Sequence, residues 1–386
     1  MKLTPSNWKR AWGVNSSPEG QLILAVSSVQ AVENKLNDLL KTNLIWPEIL
    51  ARAIACDLAP LLYYRLKDLH AVRLVPPAAV ERLKKIYQWH TARNMNFYAK
   101  LQEVREAFAR EKIPLILLKG AVLADLVYGN IALRPMRDVD ILVKKNDLDA
   151  ADELLRRMGY TPNEAYRPEE WFRNFHHNIP YLSRDRSLVL ELHHNIVLPA
   201  APITIAAEDL WQDARTVEVM NETALVLSPE KLILHLCVHL AYDDRFYRSL
   251  RSLTDIAATI AFHKESIDWT KFMTYVRAYN ADRSVYYALW LACALVDAEV
   301  PLAVPESLAR SKGNSLLNDR VLKFVIQRSI SSFENEHTVI PAWVAKSVCS
   351  ELLVSGTLWQ SVAGLLKRFP PRHLLKKSIE SVVHKT

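Results

Sequence analysis

Residues 134–143, RPMRDVDILV, carry the pattern on which the predicted fold rests. Polar and apolar residues alternate here, and a β-strand places every second side chain on the same face of its sheet. Val139 and Ile141 therefore face the core, while Asp138 and Asp140 share the opposite face. Two carboxylates on one side of a strand repel each other unless a cation lies between them. The alternative is an exposed edge strand with two solvated aspartates, and the D-x-D pattern alone does not exclude it.

A short strand and a turn precede this stretch. Residues 113–118, IPLILL, form a continuous apolar run of strand length, and Lys119 and Gly120 lead from it into a helix. A glycine lets a ligand approach the backbone closely, and the free N–H groups at a helix start favour phosphate. Lys119 adds a positive charge. Such turns are common, so this one is informative only together with the acidic strand.

A third strand is predicted at residues 187–194, SLVLELHH. Leu190 and Leu192 lie on its apolar face, and Glu191 lies on the other. A glutamate in the middle of an apolar strand needs a partner or a metal ion, because burial of an unpaired charge is costly. If this strand lies beside the aspartates, three carboxylates converge. Such a group can hold two divalent cations about 3.5–4 Å apart, as in-line phosphoryl transfer requires.

Elsewhere, apolar residues recur every three or four positions, which predicts helices. The spacing predicts one helix over residues 22–39, a second that ends near Leu66 and a third over residues 78–110. Residues 199–221 show no clear pattern, and helices resume at Ser228, a predicted N-cap. We therefore expect an α+β protein, mostly helical, with a small mixed sheet. The predicted division is an N-terminal helical region (1–94), an α/β core (95–225) and a C-terminal helical region (226–386).

Composition excludes several classes of protein. The 386 residues include only 8 glycines, and neither G-x-G-x-x-G nor G-x-x-x-x-G-K-[ST] occurs, which excludes these dinucleotide-binding and P-loop motifs. The 4 cysteines are scattered, which argues against a zinc ribbon or a disulfide framework. A net charge of +7 suits an anionic ligand such as a nucleotide or RNA. No signal peptide or membrane span is predicted, so a cytoplasmic protein is expected.

The sequence resembles the polymerase-beta-type nucleotidyltransferase superfamily. Within it, the closest likeness is to the bacterial family usually labelled uncharacterised nucleotidyltransferase. The likeness covers about residues 95–260. Its motifs are LKGA (118–121), Tyr128, Arg134, DVD (138–140), Gly159-Tyr160, LELH (190–193), HLCVH (235–239) and LRSLTD (250–255).

The resemblance implies a site for a nucleoside triphosphate, with ATP as the expected donor. Gly120 and Ala121 match the turn that holds the triphosphate, and Lys119 contributes its charge there. Ala121 replaces the commoner Ser or Gly, so a hydroxyl contact to phosphate is missing. Arg134 matches a family position, from which it either offsets charge on the leaving pyrophosphate or pairs with nearby carboxylates.

The same resemblance implies a metal-dependent transfer of a nucleoside monophosphate. Asp138 and Asp140 match the paired metal-binding aspartates, with Mg²⁺ or Mn²⁺ as the expected ion. Glu191 matches the third acidic position, which helps to ligate the metal and to activate the acceptor hydroxyl. The acceptor itself is not indicated: a small molecule, a peptide, a protein or RNA are all open, and no membrane partner is expected.

Several other residues are weaker candidates. Arg137 is predicted on the face opposite the aspartates, and Lys231 and Arg251 lie on helices that could reach a nucleotide. The histidines could contact nucleotide or acceptor, but polar packing is the simpler interpretation; they are His176, His177, His193, His194, His235 and His239. A zinc-protease helix is excluded, because Leu236 stands where that motif requires Glu.

Three alternative functions stay open at this point. A metal-dependent phosphohydrolase could use the same carboxylates. A nucleotide-binding protein could keep the fold without turnover, and Ala121 leaves room for that possibility. An RNA-binding protein could use the net charge and the basic C-terminal residues 367–377, which are otherwise expected to form a solvated helix face.

Overall fold

The structure is a computed structural model that describes residues 17–29, 33–165, 169–172, 175–199, 201–246 and 250–309. The first helices are α1 (Pro18–Ser27), α2 (Glu33–Leu40), α3 (Trp46–Ala55), α4 (Ala59–Asp68) and α5 (Pro77–Arg110), with a 3₁₀ turn at Ala71–Leu74. The long helix α5 agrees with the predicted one. The helix expected to end near Leu66 is instead two helices, because Asp57 between them has a left-handed backbone with φ +55°. The helix expected over residues 22–39 is also two.

Seven strands form one mixed sheet. They are β1 (Leu115–Leu117), β2 (Val139–Val143), β3 (Thr161–Pro162), β4 (Tyr181–Leu182), β5 (Val189–His193), β6 (Arg215–Val219) and β7 (Glu222–Val226). Their order across the sheet is β3-β4-β5-β2-β1-β7-β6. The pairs β2–β5 and β1–β7 are parallel, and the other neighbours are antiparallel.

The hairpin β6–β7 was not predicted. Its first strand, β6, lies within residues 199–221, where no pattern was recognised, and its second strand, β7, follows directly and pairs with β1. Its two turn residues, Met220 and Asn221, have φ of +51° and +62°. Turns of this kind are usually signalled by Asn-Gly or Asp-Gly. Met-Asn carries no such signal, which is why the hairpin escaped the sequence analysis.

The remaining helices surround the sheet. They are α6 (Lys119–Val122), α7 (Leu148–Arg157), α8 (Glu169–Phe172), α9 (Asp209–Gln212), α10 (Pro229–Tyr242), α11 (Leu250–Phe262), α12 (Trp269–Ala278), α13 (Asp282–Val296) and α14 (Ala303–Ala309). A wide π-helical turn, Leu123–Val127, continues α6, and a 3₁₀ turn, Lys145–Asp147, leads into α7. Ser228 caps α10 as predicted, since its hydroxyl accepts the N–H of Lys231. The basic residues 367–377 lie outside the described residues.

Each face of the sheet packs against a different helical layer. Val139 and Ile141 belong to a core shared with α5 and α7, through side chains such as Leu101 and Leu154. Leu142, on the other face of β2, belongs to the larger core built with the N-terminal and C-terminal helices. Asp140 shares this second face by strand alternation. The side of β2 that carries Asp140 therefore faces the C-terminal helical layer.

The protein is an α+β protein, mostly helical, with a mixed sheet, as the sequence predicted. Within the described residues, none of the helices combines the length and the apolar character needed to cross a bilayer. The proposed division at residues 94 and 225 stays a prediction.

Candidate active site

The pairing of β2 with β5 brings two of the predicted acidic residues together. These strands are parallel neighbours, and Asp140 lies opposite Glu191 in their register. Neighbouring strands are about 4.8 Å apart, so the two side chains leave the same face side by side. Leu190 and Leu192 point to the other face, into the core shared with α5 and α7. The alternation predicted for residues 187–194 is therefore observed.

His193 lies between these two carboxylates. Its Nε2 is 3.1 Å from Oδ1 of Asp140 and 3.3 Å from Oε2 of Glu191. Burial opposes a charge on the ring, but the hydrogen bonds to Asp140 and Glu191 raise the pKa of His193 to about 9. The imidazole is therefore a cation at neutral pH and neutralises part of the acidic cluster.

Lys119 supplies a second cation. Its Nζ lies 3.3 Å from Oδ2 of Asp140, and its side chain is 12% exposed. The turn that carries it is fixed to β2, because the N–H of Leu118 donates to the carbonyl of Asp140 at 3.1 Å. Burial lowers the pKa of Lys119, but Asp140, Glu191 and Asp138 together hold it above its ordinary value.

Asp138 lies directly before β2 and is half-buried. Burial, with repulsion from Asp140 and Glu191, raises the pKa of Asp138 to about 6. Asp140 shows the opposite behaviour: burial tends to raise its pKa, yet Lys119 and His193 hold it well below its usual range. For Glu191, burial also tends to raise the pKa, but the hydrogen bond from His193 lowers it. The three carboxylates thus share one electrostatic environment.

Gly120 lies against the guanidinium of Arg134. A Cβ at residue 120 would collide with Nη1 of Arg134 and would come within 3.2 Å of Cγ of Met136. Arg134 is buried and donates from Nη2, at 3.1 Å, and from Nε, at 3.3 Å, to the same oxygen of Asp255. The hydroxyl of Tyr128 donates to the other oxygen of Asp255 at 2.8 Å. The glycine is needed because this buried arginine passes next to the turn.

Ala121 is fully buried and belongs to the core shared with α5 and α7. Its carbonyl accepts the hydroxyl of Tyr98 at 3.0 Å. A small apolar side chain at residue 121 is thus explained by packing. The hydroxyl that the superfamily commonly has at this position has no counterpart here.

Histidines line the same region. The rings of His176 and His177 lie 5.3 and 5.0 Å from the ring of His193. His235 on α10 is buried, and its Nδ1 has no hydrogen-bond partner among the described residues. Burial lowers its pKa first, and the positive charges of Lys119, His239 and His193 lower it further. Sequence reasoning named these histidines but had no signal that would group them around one strand end.

Other candidates have different roles. His194 hydrogen-bonds the carbonyl of Phe175 through Nε2 at 2.9 Å. Lys231 is buried and binds Asp213 and the carbonyl of Asp209, so it fixes α9 to α10. Arg137 and Arg251 both bind Asp57, at 2.8 and 3.3 Å. The charges of Lys231, Arg137 and Arg251 are therefore paired within the protein, and no nucleotide is needed to explain them.

A family model described as "Uncharacterised nucleotidyltransferase" matches residues 42–297, which is well over half of the chain. The chain belongs to this nucleotidyltransferase family. The match extends the likeness seen in the sequence, about residues 95–260, to α3 on one side and to α13 on the other. No curated protein matches the chain.

The donor atoms of the acidic cluster fit a divalent cation. One oxygen of Asp140, one oxygen of Glu191 and one ring nitrogen of His193 all lie within 4.8 Å of one another. Carboxylate oxygens are the ligands that Mg²⁺ and Mn²⁺ prefer. Because Lys119 and His193 already balance the carboxylates, a metal ion that binds here must weaken those two contacts, and His193 can offer its nitrogen only after it loses its proton.

Proposed function

We propose that this nucleotidyltransferase moves a nucleoside monophosphate from a nucleoside triphosphate, with ATP as the expected donor, to a nucleophile on an acceptor. The observation that supports the proposal is the juxtaposition of Asp140 and Glu191 on parallel strands beside the Lys119-Gly120 turn. In this reaction the acceptor oxygen forms a bond to the α-phosphorus. The bond from that phosphorus to the β-phosphate oxygen breaks, and pyrophosphate leaves.

Asp138, Asp140 and Glu191 would hold the divalent cations, Mg²⁺ or Mn²⁺. When bound, these ions supply positive charge at the triphosphate and at the attacking and leaving oxygens. Asp140 is 3% exposed and Glu191 is 21% exposed, so Glu191 is the more accessible of this strand pair. We propose that the carboxylate of Glu191 accepts the proton of the acceptor hydroxyl as the hydroxyl oxygen attacks the α-phosphorus.

The turn positions the triphosphate. Gly120 lets the guanidinium of Arg134 lie directly against the turn, where a Cβ would collide with it. Lys119, once released from Asp140, places its ammonium at the same turn. Asp255 fixes the guanidinium of Arg134 beside Gly120. Arg134 therefore keeps a positive charge close to the turn that positions the phosphates. Fixed charges of this kind stabilise charge that develops on the leaving pyrophosphate without reorganisation.

The test is transfer of label from an α-³²P nucleoside triphosphate in the presence of Mg²⁺ and a cell extract. We expect the wild-type protein to label an acceptor and the double variant Asp138→Asn/Asp140→Asn to lose that activity. Asp149→Asn, an exposed aspartate on α7, is the matched control and should label the acceptor normally. Thermal unfolding of each variant checks that the fold is intact.

Two results would contradict the proposal. Labelled acceptor that persists in the double variant removes these aspartates from the chemistry. Release of inorganic phosphate with no labelled acceptor identifies a phosphohydrolase instead.

A further inference from the structure

A cavity of about 560 Å³ lies between the ends of α3 and α4, the first half of α5 and the loop that leads into β2. Its size falls in the range of roughly 300–1,000 Å³ typical of small-molecule sites. Four cations and one exposed indole distinguish its lining: Arg82, Lys85, Arg93, Arg137 and Trp89. We call it the cationic–aromatic pocket. No residue of the acidic cluster lines it.

Trp89 gives this pocket a stacking surface. Its side chain is 55% exposed, which is unusual for so large an apolar group. The guanidinium of Arg93 lies 5.1 Å from the centroid of the Trp89 ring and 4.9 Å from that of Phe97, so the two aromatic rings hold the arginine in place. Indole and guanidinium planes are the surfaces on which unpaired nucleic-acid bases stack.

The net charge of the lining is positive. Asp57 is its one acidic residue, and both Arg137 and Arg251 bind that carboxylate, at 2.8 and 3.3 Å. Arg82 forms no hydrogen bond or ion pair with any described residue. Lys85 has one solvent-exposed contact, 3.6 Å to Glu81 on the same helix, and such contacts are weak. Arg82 and Lys85 are therefore available to bind an anion.

Two nitrogen atoms of the lining lack partners. Nδ1 of His90 and Nε of Arg93 are buried without a hydrogen bond in the part of the chain that the structure describes. Buried polar atoms are usually hydrogen-bonded, so unsatisfied ones mark a place where a ligand gains contacts. An occupant with hydrogen-bonding edges, such as a base, meets this requirement better than an apolar molecule does.

The pocket adjoins the proposed catalytic turn. Met136 lines it, and the Met136 side chain also packs against Gly120. Arg137, at the pocket wall, is followed directly in the chain by Asp138. Met136 and Arg137 thus connect the wall of the pocket to the Lys119-Gly120 turn and to the start of the acidic strand.

We propose that the cationic–aromatic pocket binds the acceptor, and that the acceptor carries a nucleotide unit. The base stacks on Trp89, and Arg82 and Lys85 bind a phosphate. The unit is either a free nucleoside monophosphate or the terminal nucleotide of a single-stranded RNA. The role as acceptor rests on the proposed function; binding of the nucleotide does not.

Binding is measured on the full chain without metal or triphosphate, by fluorescence anisotropy of a labelled eight-nucleotide single-stranded RNA. We expect Trp89→Ala to weaken binding between about fivefold and a hundredfold, the range for loss of one stacked base. Phe262→Ala, which removes an exposed aromatic ring on α11, is the control and should leave binding unchanged. The double variant Arg82→Ala/Lys85→Ala should weaken binding to all sequences and reduce its salt dependence. Lys84→Ala is its control, since Lys84 is exposed on the same helix outside the pocket.

Competition identifies the source of the nucleotide. Displacement of the RNA by a nucleoside monophosphate at comparable concentration indicates a small-molecule acceptor, and failure to displace it indicates an RNA end. Both results support the proposal. Equal displacement by an acidic peptide such as pentaglutamate overturns it, because charge alone then accounts for binding. Binding that is unchanged in Trp89→Ala also overturns it.

The two proposals can fail separately. If the wild-type protein binds nucleotide through Trp89 but labels no acceptor, the proposed transfer fails and the binding site stands. If it labels an acceptor and Trp89→Ala labels that acceptor equally well, the acceptor site proposed here is wrong and the transfer stands.

Discussion

At Gly120 a single added methyl group should affect both stability and nucleotide binding. Gly120→Ala would drive a methyl group into the guanidinium of Arg134, which Asp255 holds in place. We expect the free energy of unfolding to fall by ~1–3 kcal/mol, the usual cost of overpacking. We also expect weaker binding of nucleoside triphosphate, because the turn must shift. Urea unfolding and calorimetric titration measure the two effects.

Gly129→Ala is the matched control. At Gly129 a Cβ meets open space, but φ is +62°, so the cost is backbone strain of about 1–2 kcal/mol. This variant should lose stability and keep its nucleotide affinity. Equal affinities for all three proteins would mean that the Lys119-Gly120 turn does not contact the triphosphate.

His90 should make the protein sensitive to mild acid. Burial lowers the pKa of His90 to about 4, below its ordinary value of 6.5. Between these values the unfolded chain takes up a proton that the folded chain does not, so stability falls as pH falls. His90→Gln removes this loss. Between pH 7 and pH 5, wild type should lose about 1 kcal/mol more than the variant, after allowance for solvent screening of the partly exposed ring.

Urea unfolding at several pH values measures the difference. Between pH 9 and pH 8 the two proteins should change alike, because His90 is almost entirely neutral in both states throughout that interval. An equal loss in both proteins between pH 7 and pH 5 would show that His90 is not shielded from water.

The roles of single residues were only partly predictable from the sequence. Asp138, Asp140 and Glu191 stood out because charged residues alternate with apolar ones in strands. The sequence did not indicate that Lys119 and His193 are counter-ions of Asp140. Their positions depend on which strands are neighbours and on a left-handed φ of +37° at Lys119. Neither property has a local signature in the sequence.

At the scale of elements, the pair Arg134–Asp255 fastens the loop before β2 to helix α11. Both side chains are buried, with exposures of 8% and 3%. Asp255→Asn leaves Arg134 as an uncompensated buried charge, which should cost ~3–5 kcal/mol of unfolding free energy. Arg134→Met/Asp255→Leu removes both charges and should recover part of that loss. Urea unfolding of Arg134→Met, Asp255→Leu and the double variant measures the coupling.

The exposed pair Arg157–Glu111 serves as comparison. It has a similar separation, 2.9 Å, but both side chains are about half exposed. Glu111→Gln should therefore change stability by less than ~1 kcal/mol. If Asp255→Asn lowers the free energy of unfolding by as little as Glu111→Gln does, water reaches the Arg134 site.

Elements were predictable where their pattern is local. Helix α5 and strands β2 and β5 follow from their periodicity, and Ser228 marks the start of α10. The break between α3 and α4 and the hairpin β6–β7 both depend on positive φ at residues other than glycine, namely Asp57, Met220 and Asn221. Sequence patterns identify such turns mainly through glycine, so both were missed.

At the scale of the whole molecule, helix α1 belongs to the core although it precedes the family match. Its side chains Leu22, Ile23 and Val26 are fully buried. The N–H of Val29, just after α1, donates to the carbonyl of Val296 at 3.3 Å. Packing of this kind between segments far apart in the chain cannot be inferred from the periodicity of either segment.

A variant that begins at residue 42, where the family match starts, should therefore be much less stable. Burial of one large aliphatic side chain contributes ~1.5–3 kcal/mol, so loss of three removes ~5–9 kcal/mol. Typical domains have ~5–15 kcal/mol in total. Ile23→Ala in the full chain should cost ~2–5 kcal/mol, and Lys35→Ala, at an exposed position of α2, less than ~0.5 kcal/mol. A shortened protein that unfolds at the same urea concentration as the full chain would contradict this.

The wide turn at Leu123–Val127 limits which deletions this chain can tolerate. The N–H of Tyr128 bonds the carbonyl of Leu123, five residues earlier, so the turn contains one residue more than an α-helical turn does. Deletion of that residue would restore ordinary helical pitch and swing Tyr128 by about 100° away from Asp255. The extra residue of this turn thus sets where Tyr128 lies relative to Asp255. Loss of one residue here would take the Tyr128 hydroxyl away from Asp255, the carboxylate that holds the buried Arg134.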